Sequence, residues 1–158
     1  MAETLRTLAD VAGPALVGWT VAWAAGRPTI ALARRLALLD VADGRLKLQA
    51  RPVALLGGPL VLLALVAALA SAGRLGASHG VLLLAAALSA AFGLLDDIWV
   101  LSPATKLAGA VAVALFVVMG HEHLRAQAGP FAALPGLSGD ALAVLWIVMA
   151  MNAFHLID

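Results

Sequence analysis

Two adjacent carboxylates, Asp96 and Asp97, stand in the stretch FGLLDDIWVLSPATKLAG, residues 92–109, ahead of a Ser102-Pro103 pair and Lys106, with apolar sequence on both sides. Each group has an ordinary use: an Asp pair can end a helix in water, and a lysine at a membrane boundary can snorkel to its surface. Within eleven residues they form a more specific set. Carboxylate oxygens can ligate a hard divalent cation, while a lysine and the free N–H groups of a helix N-terminus both attract phosphate. Ser102 is placed to cap a helix whose first residue is Pro103, so the fourth apolar run should begin there with Lys106 one turn inside. Neighbouring residues lie about 100° apart around a helix, so one carboxylate can face other helices while its neighbour faces the loop. Carboxylates at a helix C-terminus oppose the macrodipole, a conflict that a nearby cation resolves. The combination reads as a magnesium diphosphate site.

A second polar group ends the sequence. In NAFHLID, residues 152–158, Asn152, His155 and Asp158 recur every third position and so form a slanting stripe on an otherwise apolar helix. Such a stripe serves either interhelical hydrogen bonds or a cavity. His155 alone is a weak metal ligand without a defined set around it. Three other features have simpler readings. His121-Glu122-His123 fits a solvated loop, Asp43-Gly44 a turn, and Gly57-Gly58-Pro59 a closely packed helix start or an irregular backbone beside a site.

The elements that must position these groups follow from composition. Hydrophobic residues make up 63% of the 158 and charged residues 12%, with a mean hydropathy of +1.02, which places the chain outside water-soluble domains and in a bilayer. The net charge of +1 gives no field for nucleic acid, and the absence of cysteine removes disulfides and thiolate metal sites. Five apolar blocks, at about 8–26, 53–72, 80–95, 104–120 and 141–157, are each near the length that crosses the hydrocarbon as a helix. Lipid offers backbone groups no partner, so helices are expected. The fold class is thus all-α: one polytopic membrane bundle of about five transmembrane helices over residues 1–158, with a basic loop at 27–52. Arg27, Arg34, Arg35, Arg45, Lys47, Arg51 and Lys106 fall on one side, against Arg6, Arg74 and Arg125 on the other. The positive-inside rule then puts the N-terminus outside and the basic loop in the cytoplasm. Asp40, Asp96, Asp97, Lys106, Asn152, His155 and Asp158 all come to the cytoplasmic side.

GLLDDIWVLSPATKL, residues 93–107, resembles the Gly-x-x-Asp-Asp-x-x-x-Leu-Ser-x-x-x-Lys-Leu segment of the polyprenyl-phosphate N-acetylhexosamine-1-phosphate transferases, glycosyltransferase family 4. NAFHLID is similar to the start of that family's Asn-Ala-x-Asn-Leu-x-Asp-Gly-x-Asp-Gly motif. The run from Asp40 through DGRLKLQARPVALLGG to Gly58 is similar to its first cytoplasmic loop. The sequence departs from the family at Gln49, where His is usual, at Ala42 and Ala54, which replace prolines, at Ala110, which replaces a frequent Gln, and at His155, which replaces Asn.

The resemblance implies a transferase of the bacterial cytoplasmic membrane that moves N-acetylhexosamine-1-phosphate from a UDP-sugar to polyprenyl phosphate, with Mg2+ or Mn2+ as cofactor and a homodimer as a possible state. It assigns Asp96 to orienting or deprotonating the lipid phosphate and Asp97 to the metal, with a further metal ligand expected beyond residue 158. Lys106 would contact phosphate, Asn152 and Asp158 would line the nucleotide-sugar side, and Asp40 would contribute from the first loop. The Leu-Ser-x-x-x-Lys-Leu continuation is closer to the N-acetylglucosamine branch than to the muramoyl-pentapeptide branch. Family members continue for several more spans, so the chain reads as an N-terminal part that is inactive alone. Two rival classes are a non-catalytic membrane subunit acting through helix association and a small ion transporter. A transporter should spread ionisable groups through the membrane's depth, whereas here they gather at one boundary.

Overall fold

The structure, a computed structural model, describes residues 2–41, 52–120 and 137–157. Asp43, Gln49, the His121–His123 segment and Asp158 lie outside them, and of His155 only the helical backbone is described. Among the described residues five helices occur: α1 (Ala2–Arg35), α2 (Gly57–Ser71), α3 (Ala77–Trp99), α4 (Pro103–Gly120) and α5 (Leu137–Ile157). Two short strands, β1 (Leu39–Asp40) and β2 (Val53–Ala54), pair antiparallel with Leu39 opposite Ala54 and Asp40 opposite Val53. α1 packs on α2, α2 on α3, α3 on α4, and α4 on α5.

The helices are apolar on nearly every face, and those faces stay open. Leu84 is 50% exposed, Trp99 68% and Met119 82%, while no polar or charged residue is buried among the described residues. A helix that is hydrophobic all round belongs in a protein core or in lipid; these helices bury only small parts of their surface against one another, so lipid is the solvent of the rest. α3 from His79 and α4 are, at 21 and 18 residues, long and apolar enough to cross a membrane. The chain is an all-α membrane protein. α2 and the Ser138–Ala153 part of α5 are shorter apolar helices.

In lipid, helices associate through close packing rather than through a hydrophobic driving force, so small residues mark their contacts. A Cβ at Gly18 of α1 would lie 3.2 Å from the Ala64 carbonyl oxygen and 3.3 Å from the Ala68 Cβ of α2. Ala110 and Ala114, one turn apart on α4, are buried with Val148 of α5, and Val111, Val144, Ile147 and Met151 pack around them.

Where the fold departs from the sequence reading, the reason lies at the helix ends. α1 was expected to stop at residue 26 and give way to a loop, but it continues through Pro28 and carries Arg27, Arg34 and Arg35 on helix. It ends at Arg35, and two residues on, Ala37 takes a left-handed φ of 55°, with the Leu38 N–H donating to the Ala33 carbonyl at 2.9 Å. This is the six-to-one bond of a Schellman stop, made here without the usual glycine. The expected loop at 27–52 is therefore corrected: its first part is helix, and the strand pair of Asp40 and Val53 draws its two ends together. At the far end of α2, Gly73 supplies the same stop with φ 65°.

Candidate functional site

The chain reverses twice with short turns, at 72–76 between α2 and α3 and at 100–102 between α3 and α4. The C-terminus of α3 and the N-terminus of α4 thus share one end of the bundle with the start of α2 and the strand pair that holds Asp40. Asp96 lies in the last turn of α3 and Lys106 in the first turns of α4, and their side chains meet: Lys106 Nζ is 2.7 Å from Asp96 Oδ2. The Asp96 side chain is 14% exposed and that of Lys106 42%. A pair this open adds at most about 1 kcal/mol of stability, so its value is positional. It also supplies the cation that acidic residues at a helix C-terminus require.

The other Asp96 oxygen is engaged as well. Oδ1 accepts the Leu101 N–H at 2.9 Å, while the Asp96 backbone carbonyl accepts the Val100 N–H at 2.8 Å. Between them Val100 adopts φ 48° and ψ 72°, the left-handed region. That conformation costs an L residue roughly 1–2 kcal/mol, and a β-branched one adopts it only where its surroundings hold it. Here the hold is Asp96, bonding on both sides of the residue it constrains.

Ser102 then starts α4. Its Oγ accepts the Thr105 N–H at 3.2 Å and lies 2.9 Å from the Thr105 hydroxyl, and its carbonyl accepts the Lys106 N–H at 3.0 Å. Pro103 needs no donor partner at the first helical position. One turn below the ion pair the helices touch backbone to ring. A Cβ on Gly109 would sit 2.3 Å from Phe92 Cζ. Phe92 is four residues before Asp96 and Gly109 three after Lys106, so this contact lies on the same helix faces as the pair.

Asp97 is exposed, in keeping with its rotation of about 100° from the half-buried Asp96. Asp40 is half-buried in β1 at the same end of the bundle. Asn152 lies near the end of α5, where its Nδ2 donates to the Val148 carbonyl of its own helix at 2.8 Å. The interhelical hydrogen bond considered for it is not how that donor is used. Of the expected site residues the structure brings Asp96 and Lys106 into contact and places Asp97 beside them. Among the described residues no three His, Asp or Glu side chains gather as a metal set. The donor chemistry still suits magnesium, which commonly takes one or two carboxylates and fills its remaining positions with phosphate oxygens and water.

The sequence assigns no role to Val100, Thr105, Phe92 or Gly109, and Leu101 enters it only as part of the Leu-Ser motif. Thr105, three residues after a candidate N-cap, and a glycine inside an apolar helix were the available signals. Nothing in the residue type of Val100 announces a left-handed turn.

Residues 79–158, which contain this whole α3–α4 turn, match the family model described as Glycosyl transferase family 4. The chain belongs to glycosyl transferase family 4. A Streptomyces coelicolor (strain ATCC BAA-471 / A3(2) / M145) protein named "Putative glycosyltransferase SCO3672" is 38% identical to this family 4 chain over 133 residues. That alignment covers 80% of the chain, which spans 28% of the relative's length. No solved structure matches.

Proposed function

We propose that this family 4 chain forms part of an integral-membrane transferase that passes N-acetylhexosamine-1-phosphate from a UDP-sugar to a polyprenyl phosphate, undecaprenyl phosphate in a bacterium. A phosphate oxygen of the lipid attacks the sugar-bearing phosphorus of the donor. The bond from that phosphorus to the bridging oxygen breaks, and UMP leaves with the electron pair. Such chemistry rests on alignment and charge stabilisation more than on covalent help from the protein.

The observation that carries this reading is the joining of an acidic helix end to a capped helix N-terminus by the 2.7 Å Asp96–Lys106 contact, within the segment that matches the family. One turn thereby presents carboxylate and cationic groups side by side, as a metal diphosphate requires. Asp97, exposed at the same helix end, is the carboxylate we assign to the metal. Lys106 and the first turn of α4 attract phosphate. To Asn152, Asp158 and Asp40 we assign contacts with the nucleotide-sugar, on the family resemblance of the segments that hold them. When bound, Mg2+, or Mn2+ in its place, supplies neutralisation of the charge that builds on the diphosphate. The chain crosses the membrane five times with its N-terminus outside, so the site faces the cytoplasm of a bacterial inner membrane. This orientation draws support from the seven basic residues gathered on that side against three on the other.

The test is release of UMP from UDP-N-acetylglucosamine in the presence of undecaprenyl phosphate. A full-length enzyme carrying these residues is expected to release UMP with magnesium and to stop on addition of EDTA, while the 158-residue chain alone releases little or none. A full-length enzyme that produced no UMP from any UDP-N-acetylhexosamine would overturn the proposal.

A further inference from the structure

We propose that Asp96 is a positioning residue, which acts by locking the turn between α3 and α4, and that the left-handed Val100 is the strained element it holds. This inference builds on the reading of Lys106 as a phosphate contact and departs from the assignment of Asp96 to the lipid phosphate itself. The geometry points to it because one carboxylate is committed at both oxygens. Oδ1 takes the Leu101 N–H at 2.9 Å and Oδ2 takes the Lys106 ammonium at 2.7 Å.

Three consequences follow for the site. The bond to Leu101 closes the turn around Val100, whose φ of 48° a valine abandons when nothing retains it. Because Ser102 follows directly, closing the turn also sets the residue that caps α4 through Thr105 and Lys106. The second oxygen then fixes the lysine head group at the same helix start. Asp96 thereby controls where two phosphate-attracting features stand without itself having to touch phosphate. Both oxygens of this carboxylate are already engaged, one by an N–H and one by an ammonium, and a phosphate monoester, largely ionised near neutral pH, needs no base. What the turn needs is backbone geometry, so glycine at position 100 should substitute for the turn-closing half of the clamp.

The test uses the 158-residue chain in detergent micelles and in its Asp96→Ala, Val100→Gly and doubly substituted forms. Amide hydrogen exchange at Thr105 and Lys106 reads the start of α4. Asp96→Ala is expected to speed exchange at both amides about tenfold, equivalent to roughly 1.4 kcal/mol of lost protection. Adding Val100→Gly should bring both back to within about threefold of the parent, since glycine occupies the left-handed region at no steric cost. The same four proteins are titrated with geranylgeranyl phosphate. Asp96→Ala should weaken binding and the double substitution should recover the part that depends on the turn, the part held by the Asp96–Lys106 contact staying lost; a purely direct contact of Asp96 with the ligand gives no recovery at all.

Exchange unchanged by Asp96→Ala, or not restored by glycine, would overturn the clamp whatever happens to binding. Restored exchange with none of the binding recovered would overturn the claim that the locked turn positions the phosphate site. Restored exchange in a set where even the parent fails to bind would leave the clamp standing and count against Lys106 as the phosphate contact.

Discussion

Asp97→Asn in a full-length enzyme is expected to lower UMP release on the order of a hundredfold or more, the scale on which a single group that stabilises developing charge is felt. The substitution keeps the size and shape of the side chain and removes its negative charge, so packing around the end of α3 should be undisturbed. Asp97 is exposed at the last turn of a helix, and an exposed position tolerates the change structurally. Loss should therefore appear in kcat and in the magnesium dependence, with the thermal midpoint little changed, because contacts of an exposed charge add little to stability. Leu101→Ile serves as the comparison, because it retains the backbone N–H that bonds to Asp96 and alters only an apolar side chain. Equal activity in the two variants would remove Asp97 from the metal diphosphate environment.

The second large effect is structural. Gly109→Ala puts a methyl group where the Phe92 ring now lies, at 2.3 Å from Cζ, and overpacking of this kind costs about 1–3 kcal/mol. The strain has two outlets: the ring can swing away, or α3 and α4 can separate. Either one disturbs the pair of helix faces that carry Asp96 and Lys106. Phe92→Ala removes the obstruction at the price of a cavity, so the double substitution should be more stable than the sum of the single changes predicts. Thermal unfolding of the four proteins in detergent measures that coupling. Strict additivity would show that Phe92 and Gly109 do not interlock.

Much of the bundle was legible because lipid imposes simple rules on sequence. Unbroken apolar runs located the cores of the five helices found among the described residues, and Ser102-Pro103 marked the start of α4 to the residue. The end of the first helix was not legible. The apolar run stops at residue 26, yet α1 continues through Arg27 and Pro28 to Arg35, since a helix in a membrane can carry a proline where its surroundings satisfy the freed backbone groups. The two-residue strands were also invisible, since pairs as short as Leu39–Asp40 and Val53–Ala54 carry no alternation. Their pairing is a tertiary event, forced by the return of the chain from α1 to α2.

At the site, residue types were readable and their division of labour was not. The sequence shows an Asp pair and a lysine, but not that Asp96 would spend both oxygens on the turn while Asp97 stays exposed. That difference arises from where the α3 helix ends. Stopping at Trp99 rather than earlier places Asp96 within reach of Leu101 and Lys106, and helix ends are set by capping bonds that apolar patterning does not encode. Val100 hides the same information, because left-handed turns are usually announced by glycine or asparagine.

The chain contains no cysteine, so single cysteines introduced at positions 97 and 152 can be tested in intact cells with a membrane-impermeant thiol reagent. Both are expected to resist labelling from outside and to react once the inner face is opened. Reaction of one from outside and the other only from inside would contradict a shared cytoplasmic site.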